Sequence, residues 1–135
     1  MIYLVDANVL SEPTKPVPSS KVIDWLRANE GDLVVDSIIL GELCIGILAL
    51  PRGRKQRQLD QWVTDVVQTI DCLSWDPTIS RRWAKLVVDL KRKGDTLPLL
   101  DSMIAATALQ HGLTVATRNT RDFKRAGVKV LDPFA

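Results

Sequence analysis

A three-layer α/β/α sandwich around a mainly parallel sheet of four or five strands is the fold the sequence predicts. Short β-branched and aliphatic runs without polar alternation recur along the chain, as expected of strands buried on both faces. Between them lie longer segments whose apolar residues repeat at helical spacing. With 135 residues, 46% hydrophobic and 25% charged side chains, and only 7 Gly and 7 Pro, the chain has the make-up of one ordinary folded domain, large enough to bury a core.

The first strand is Ile2-Tyr3-Leu4-Val5-Asp6, which delivers a carboxylate to its own carboxyl end. That end is where open α/β sheets bind ligands, although Asp is equally at home as a helix N-cap. Residues Ala7 to Pro18 allow a short helical turn at most, because Pro13, Pro16 and Pro18 lack a donor N–H; Pro13 to Ser19 is the one stretch suited to disorder. Ser19-Ser20 cap a helix carrying Val22, Ile23, Trp25 and Leu26, and Gly31 reads as its stop. Leu33 to Asp36 is the second strand. Ser37 is placed to cap a helix reaching Leu50 that is apolar almost all round.

The clearest period in the sequence follows. Leu59, Trp62, Val63, Val66, Val67 and Ile70 form one helical stripe, which argues for core packing and nothing more. Cys72 to Trp75 is a brief third strand, and Asp76-Pro77 has the cap and first-turn proline of a helix that runs to Gly94. Thr96 to Pro98 opens a further helix ending at His111-Gly112. Leu113 to Thr117 is the fourth strand, Arg118 to Lys124 turns back, and Val128 to Leu131 closes the sheet at its edge.

Several function classes drop out. Cys44 and Cys72 lie among apolar residues and read as buried thiols; with the single histidine His111, read as a helix-end residue, they make no structural zinc site. No uncharged apolar run is long enough to span a membrane and no basic segment precedes the first strand, so a cytoplasmic location with no membrane partner is expected. No Gly-x-x-x-x-Gly-Lys loop is present to hold a nucleotide. The net charge of +2 is unevenly spread: residues 1–50 carry 3 basic and 7 acidic side chains, the remainder 15 and 9. Clusters at Arg52, Arg54, Lys55, Arg57 and at Arg118, Arg121, Lys124, Arg125 are therefore candidates to contact phosphates, while solvated helix faces account for them equally.

Three acids stand as the only charged residues in their stretches: Asp6 within 1–11, Glu42 between Asp36 and Arg52, and Asp101 between Asp95 and Arg118. No Lys or Arg nearby in sequence neutralises them. Two carboxylates about 4 Å apart repel by roughly 4 kcal/mol at an effective dielectric near 20, so three that converge stay ionised only around a cation. Oxygen donors without His or Cys select Mg²⁺ or Mn²⁺. Taken singly, Glu42 reads equally as an acid turned to solvent or a partner, and Asp101 as a first-turn acid favoured by the helix dipole. Asp122 follows the fourth strand, and Asn8 and Asn119 add neutral oxygen donors beside two strand ends. Convergence requires Asp6, Asp101 and the Asn119 to Asp122 turn to share one end of the sheet, with Glu42 reaching in.

The segments Leu4-Val5-Asp6-Ala7-Asn8-Val9-Leu10-Ser11-Glu12, Glu42 in its apolar helix, Asp101-Ser102-Met103-Ile104-Ala105-Ala106-Thr107-Ala108 and Ala116-Thr117-Arg118-Asn119-Thr120-Arg121-Asp122-Phe123 resemble the motifs of PIN-domain ribonucleases. The likeness is greatest to the VapC/FitB toxins of type II toxin–antitoxin pairs, and it extends to Leu131-Asp132-Pro133-Phe134. It implies that residues 1–135 form a single PIN-like nuclease domain in which Asp6, Glu42, Asp101 and Asp122 are catalytic and hold Mg²⁺ or Mn²⁺. Asn8, Ser11 and Asn119 would support them. Asn119 stands where many family members have Asp, which bears on whether a second metal is held.

The activity so implied is endonucleolytic hydrolysis of RNA by a metal-activated water, with Arg118, Arg121, Arg52 and Arg54 as candidate RNA contacts. The partners implied are an RNA substrate, a cognate antitoxin laid across the apolar helices, for which Trp25, Leu26, Leu48 and Leu50 are candidate contacts, and a second copy of the chain in a homodimer. Two other classes stay open on the residues alone: a non-catalytic module binding nucleic acid or protein, and a metal-dependent phosphohydrolase, although Asp6-Ala7-Asn8 lacks the second acid of an Asp-x-Asp pair.

Overall fold

The computed structural model describes residues 1–135 apart from the side chains of Val67 and Gln68, so the place of Val67 in the apolar stripe lies outside the described residues. Five strands form one sheet: β1 (Tyr3–Val5), β2 (Leu33–Asp36), β3 (Asp71–Leu73), β4 (Thr114–Ala116) and β5 (Val130–Leu131). Their order is β3-β2-β1-β4-β5, and every pairing is parallel. The first strand of the sequence is thus the centre of the sheet, with Leu4 opposite both Val34 and Val115. All four residues of β2 are buried, as are Leu4 and Val5 of β1, so both faces of the inner strands are covered. That double covering is what unalternating apolar runs require.

Seven helices connect and flank the strands: α1 (Ala7–Leu10), α2 (Ser20–Ala28), α3 (Ser37–Leu48), α4 (Arg54–Thr69), α5 (Pro77–Arg92), α6 (Leu99–His111) and α7 (Thr120–Arg125). On α4, Val63 is buried, and Leu59, Trp62, Val66 and Ile70 pack against the core as the stripe predicted. Helix α5 packs along α6, and α3 along α4. The Trp83 indole of α5 donates a 2.9 Å hydrogen bond to Ser102 of α6. Gly112, at φ 65°, ends α6 in the left-handed region that favours glycine.

The chain departs from the sequence reading in several places. Glu12–Thr14 form a short 3-10 turn, in which the Thr14 hydroxyl donates to the Ser11 carbonyl at 2.6 Å and Lys15 pairs with the buried Glu12 at 3.1 Å. Local hydrogen bonds therefore order the start of the proline-rich segment. Helix α2 ends at Ala28, before a second 3-10 turn that contains Gly31. Asp36, not Ser37, caps α3, because its carboxylate accepts from the Ile39 amide at 2.8 Å while the Ser37 hydroxyl donates to the Leu73 carbonyl. Arg118 to Lys124 is more than a turn: α7 occupies most of it, anchored by the fully buried Phe123. Cys44 and Cys72 are free thiols and only half-buried. Helix α3 buries Ile39, Leu43 and Ile47 but leaves Ile45 65% and Leu48 70% exposed, so its apolar circumference includes an outward face. Among the described residues no helix is long and apolar enough to cross a membrane.

Candidate active site

The carboxyl ends of β1, β2 and β4 meet where three aspartate and threonine side chains are buried side by side in the sheet order: Asp36, Asp6 and Thr117. Asp6 both ends β1 and caps α1, so the two roles weighed from sequence are one. It is 4% exposed, yet each oxygen is satisfied. The Ala7 amide donates to Oδ1 at 2.8 Å, and the Thr117 hydroxyl and Asn8 amide donate to Oδ2 at 2.7 and 3.2 Å. Burial raises the Asp6 pKa, and these three bonds oppose the rise.

A continuous chain of hydrogen bonds leads outward from Asp6. Thr117 accepts from the Asn119 backbone N–H at 3.0 Å, and Asn8 accepts from the Arg118 N–H at 3.1 Å. The Asn119 side-chain amide then donates to Asp101 Oδ2 and to Asp122 Oδ2, both at 3.0 Å. An Asp at that position would have no such protons when ionised. The Asn119 noted in the sequence thus ties the two acids together through one side-chain amide. Asp122 also faces the Arg125 guanidinium at 3.7 Å, and Arg125 pairs with Asp95 at 2.9 Å and donates to the Thr96 carbonyl. Arg125 is therefore engaged in tying α7 to the loop before α6.

Glu42 enters from the other side. It lies five residues into α3, about 7.5 Å along the axis from Ser37. Its Oε1 is buried without a hydrogen-bond partner among the described residues. Burial pushes its pKa up to about 7, with further repulsion from Asp6, Asp101 and Asp36. Asp101, in the first turn of α6, is pushed up to about 6 by burial, then by Asp6 and Asp122, against the hydrogen bond from Asn119. Asp36 is 2% exposed, its Oδ2 is also unpartnered, and its pKa is raised by burial and by Asp6. Asp6, Asp36, Glu42, Asp101 and Asp122 thus share one electrostatic field.

The sequence singled out four of these acids and missed Asp36 and Thr117. Asp36 carried a signal, the carboxylate ending the second strand, but it follows Glu30 and Asp32 and so lacked the isolation that marked the others. Ser11 is the C-cap of α1, and among the described residues its hydroxyl makes no hydrogen bond to the acids. Arg118 and Arg121 are exposed, one on each side of Asn119 in the chain, and the Arg118 N–H reaches Asn8. Arg52 and Arg54 follow α3, whose twelve residues extend about 18 Å from its cap at Asp36. Among the described residues neither makes an ion pair with an acid.

A buried acid set of this kind fits a hard divalent cation: its donors are carboxylate oxygens, two of those oxygens are orphaned, and the pKa values of Glu42 and Asp101 are raised by burial and then by the neighbouring acids. As the side chains lie, no group of three of the described acids is close enough together to hold a metal ion.

A parallel sheet in the order 3-2-1-4-5 with acids gathered at its carboxyl edge defines the chain as a member of the PIN domain family, which matches residues 3–129. Across nearly its whole length it is similar to Toxin FitB of Neisseria gonorrhoeae, at 34% identity over 98% of this chain and 99% of the relative. It is likewise similar to the VapC ribonuclease Y4jK of Sinorhizobium fredii, at 34% identity over 98% of each. The crystal structure of FitAcB from Neisseria gonorrhoeae superposes with a TM-score of 0.92 and 34% identity, covering 98% of this chain and 99% of that one.

Proposed function

We infer that this chain is the toxin of a type II toxin–antitoxin pair, an endoribonuclease whose single domain spans residues 1–135 and acts in the cytoplasm. The observation that carries the reading is Glu42: an acid on an otherwise apolar helix, with a buried unpartnered oxygen, in the field of Asp6 and Asp101. Relatives named as a toxin and as a ribonuclease over nearly the full chain support it.

Asp6, Glu42 and Asp101 would hold Mg²⁺ or Mn²⁺, with Asp122 alongside and Asp36 adding negative charge from beneath. A divalent ion there supplies positive charge to the scissile phosphate and makes a water more acidic for in-line attack. The protein's own residues prepare for this. The Thr117 hydroxyl and Ala7 N–H fix the orientation of Asp6. Asn119 holds Asp101 and Asp122 at one spacing. Glu42, with its pKa pushed up to about 7, carries a proton for about half the time at neutral pH, and would give it up in holding a cation. RNA is the substrate, and Arg118 and Arg121 are its nearest candidate phosphate contacts. A cognate antitoxin and a second copy of the chain are the protein partners. The exposed Ile45 and Leu48 of α3, and the apolar groove of about 230 Å³ lined by Leu10, Leu26, Leu33 and Trp62, are surface for such contacts. Trp25, edge-on to Tyr3, and Leu26 both pack half-buried against the core, so Leu48 is the better contact residue of those named from sequence.

The test compares the antitoxin-free protein with Asp101→Asn on a pool of structured cellular RNAs, with Mg²⁺, with Mn²⁺ or with chelator. Discrete, cation-dependent cuts that fall at least about a hundredfold in the folded variant are expected. Uncut RNA, or equal cutting by the variant, contradicts the reading.

A further inference from the structure

The Arg118 guanidinium lies over the Phe134 ring, its central carbon 3.7 Å from the ring centroid. This is a cation–π contact, and it does not use up the five N–H donors of the guanidinium. Among the described residues Arg118 makes no ion pair, although Arg125 pairs twice with acids close by. Its backbone is fixed as well. The Arg118 N–H donates to Asn8, which donates in turn to the Asp6 carboxylate. Phe134 is held in its own turn: its N–H donates to Asp132 Oδ1 at 2.9 Å, the Ala135 N–H donates to the Asp132 carbonyl at 3.2 Å, and its ring packs on the core. Thr117, next to Arg118, donates its N–H to the Leu131 carbonyl, which registers the segment bearing Phe134 against the site.

We propose that Phe134 is a positioning residue of the active site, a platform that holds the Arg118 guanidinium edge-on at the rim of the acid cluster so that it grips one RNA phosphate through two parallel N–H donors. The role rests on the ribonuclease reading and adds to it a determinant of how substrate is placed. A long exposed arginine ordinarily loses rotamer freedom when it binds. Stacking on Phe134 removes that freedom beforehand, and a planar fork matched to a phosphate cannot be replaced by a lysine.

The experiment measures binding of a labelled single-stranded RNA in chelator, where no cleavage occurs, and steady-state cleavage with Mg²⁺. Phe134→Leu keeps an apolar side chain and removes the ring face; Phe134→Trp keeps a face. Thermal unfolding checks that both are folded. Phe134→Leu is expected to weaken RNA binding and raise KM about two- to fivefold with kcat held, and Phe134→Trp to restore both. Arg118→Gln should weaken binding more, and Phe134→Leu added to it should change nothing further, since the ring then has no cation to hold. Additive losses, or Phe134→Leu binding RNA as the parent does, overturn the platform. A parent that binds RNA with this coupling but never cuts it leaves the platform standing and removes the ribonuclease reading instead.

Discussion

Asp36 and Asp76 perform the same local task in two regions of the molecule. Each precedes a helix in extended conformation, at φ −121° and ψ 174° for Asp36 and φ −132° and ψ 173° for Asp76. Each accepts a 2.8 Å hydrogen bond from the amide of an isoleucine three residues on. Asp76 caps α5 at the surface, with its side chain exposed. Asp36 caps α3 on the inner strand β2, with its other oxygen buried and unpartnered beside Asp6. The capping motif is therefore neutral as to function. What separates a cap from part of a site is which strand it ends and which charges it meets there.

Two variants sharpen the contrast. Asparagine caps as well as aspartate, so Asp36→Asn keeps the helix start and removes only charge. It is expected to raise the Mg²⁺ concentration needed for RNA cleavage about ten- to hundredfold, the range typical of residues behind metal ligands. Asp76→Ala should leave that requirement unchanged while costing about 1 kcal/mol of stability in denaturant unfolding. Equal effects of the two on cleavage would erase the distinction.

A smaller effect follows from the acids themselves. Glu42 and Asp101 bind their protons more tightly in the fold than in the unfolded chain, where they titrate in the ordinary range. Their contribution to stability is therefore present at low pH and is lost as pH rises through about 6 for Asp101 and about 7 for Glu42. In chelator, the midpoint of urea unfolding should decline between pH 5 and pH 8, and Glu42→Gln should flatten the decline. A parallel decline in the variant would show that Glu42 is not its source.

How much of this was legible in sequence depended on contrast. Asp6, Glu42 and Asp101 stood out because each is alone among uncharged residues, and the inner strands because nothing polar interrupts them. Thr117 gave no such contrast, since an uncharged polar residue at a strand end is ordinary until its hydroxyl is seen to meet Asp6, 111 positions away. Asn119 is visible as a polar residue beside a strand end, but its two hydrogen bonds, one to Asp101 and one to Asp122, depend on α6 and α7 lying together. Helix α7 was reduced to a turn because six residues contain one buried aromatic anchor and no second helical repeat. Arg125 looked available to phosphate, and only the fold shows it committed to Asp95, thirty positions earlier. Charge isolation and apolar runs are local properties of a chain; hydrogen bonds across the sheet are not.

The central claim is that these acids form one site for a divalent cation. Calorimetric titration of the metal-free protein with Mn²⁺ at pH 6, in buffers of different ionisation enthalpy, counts the protons that binding displaces. The account predicts binding with release of about one proton per cation, falling at pH 8, and both weaker binding and less release in Glu42→Gln. Absence of binding, or binding that neither releases protons nor depends on Glu42, would contradict it.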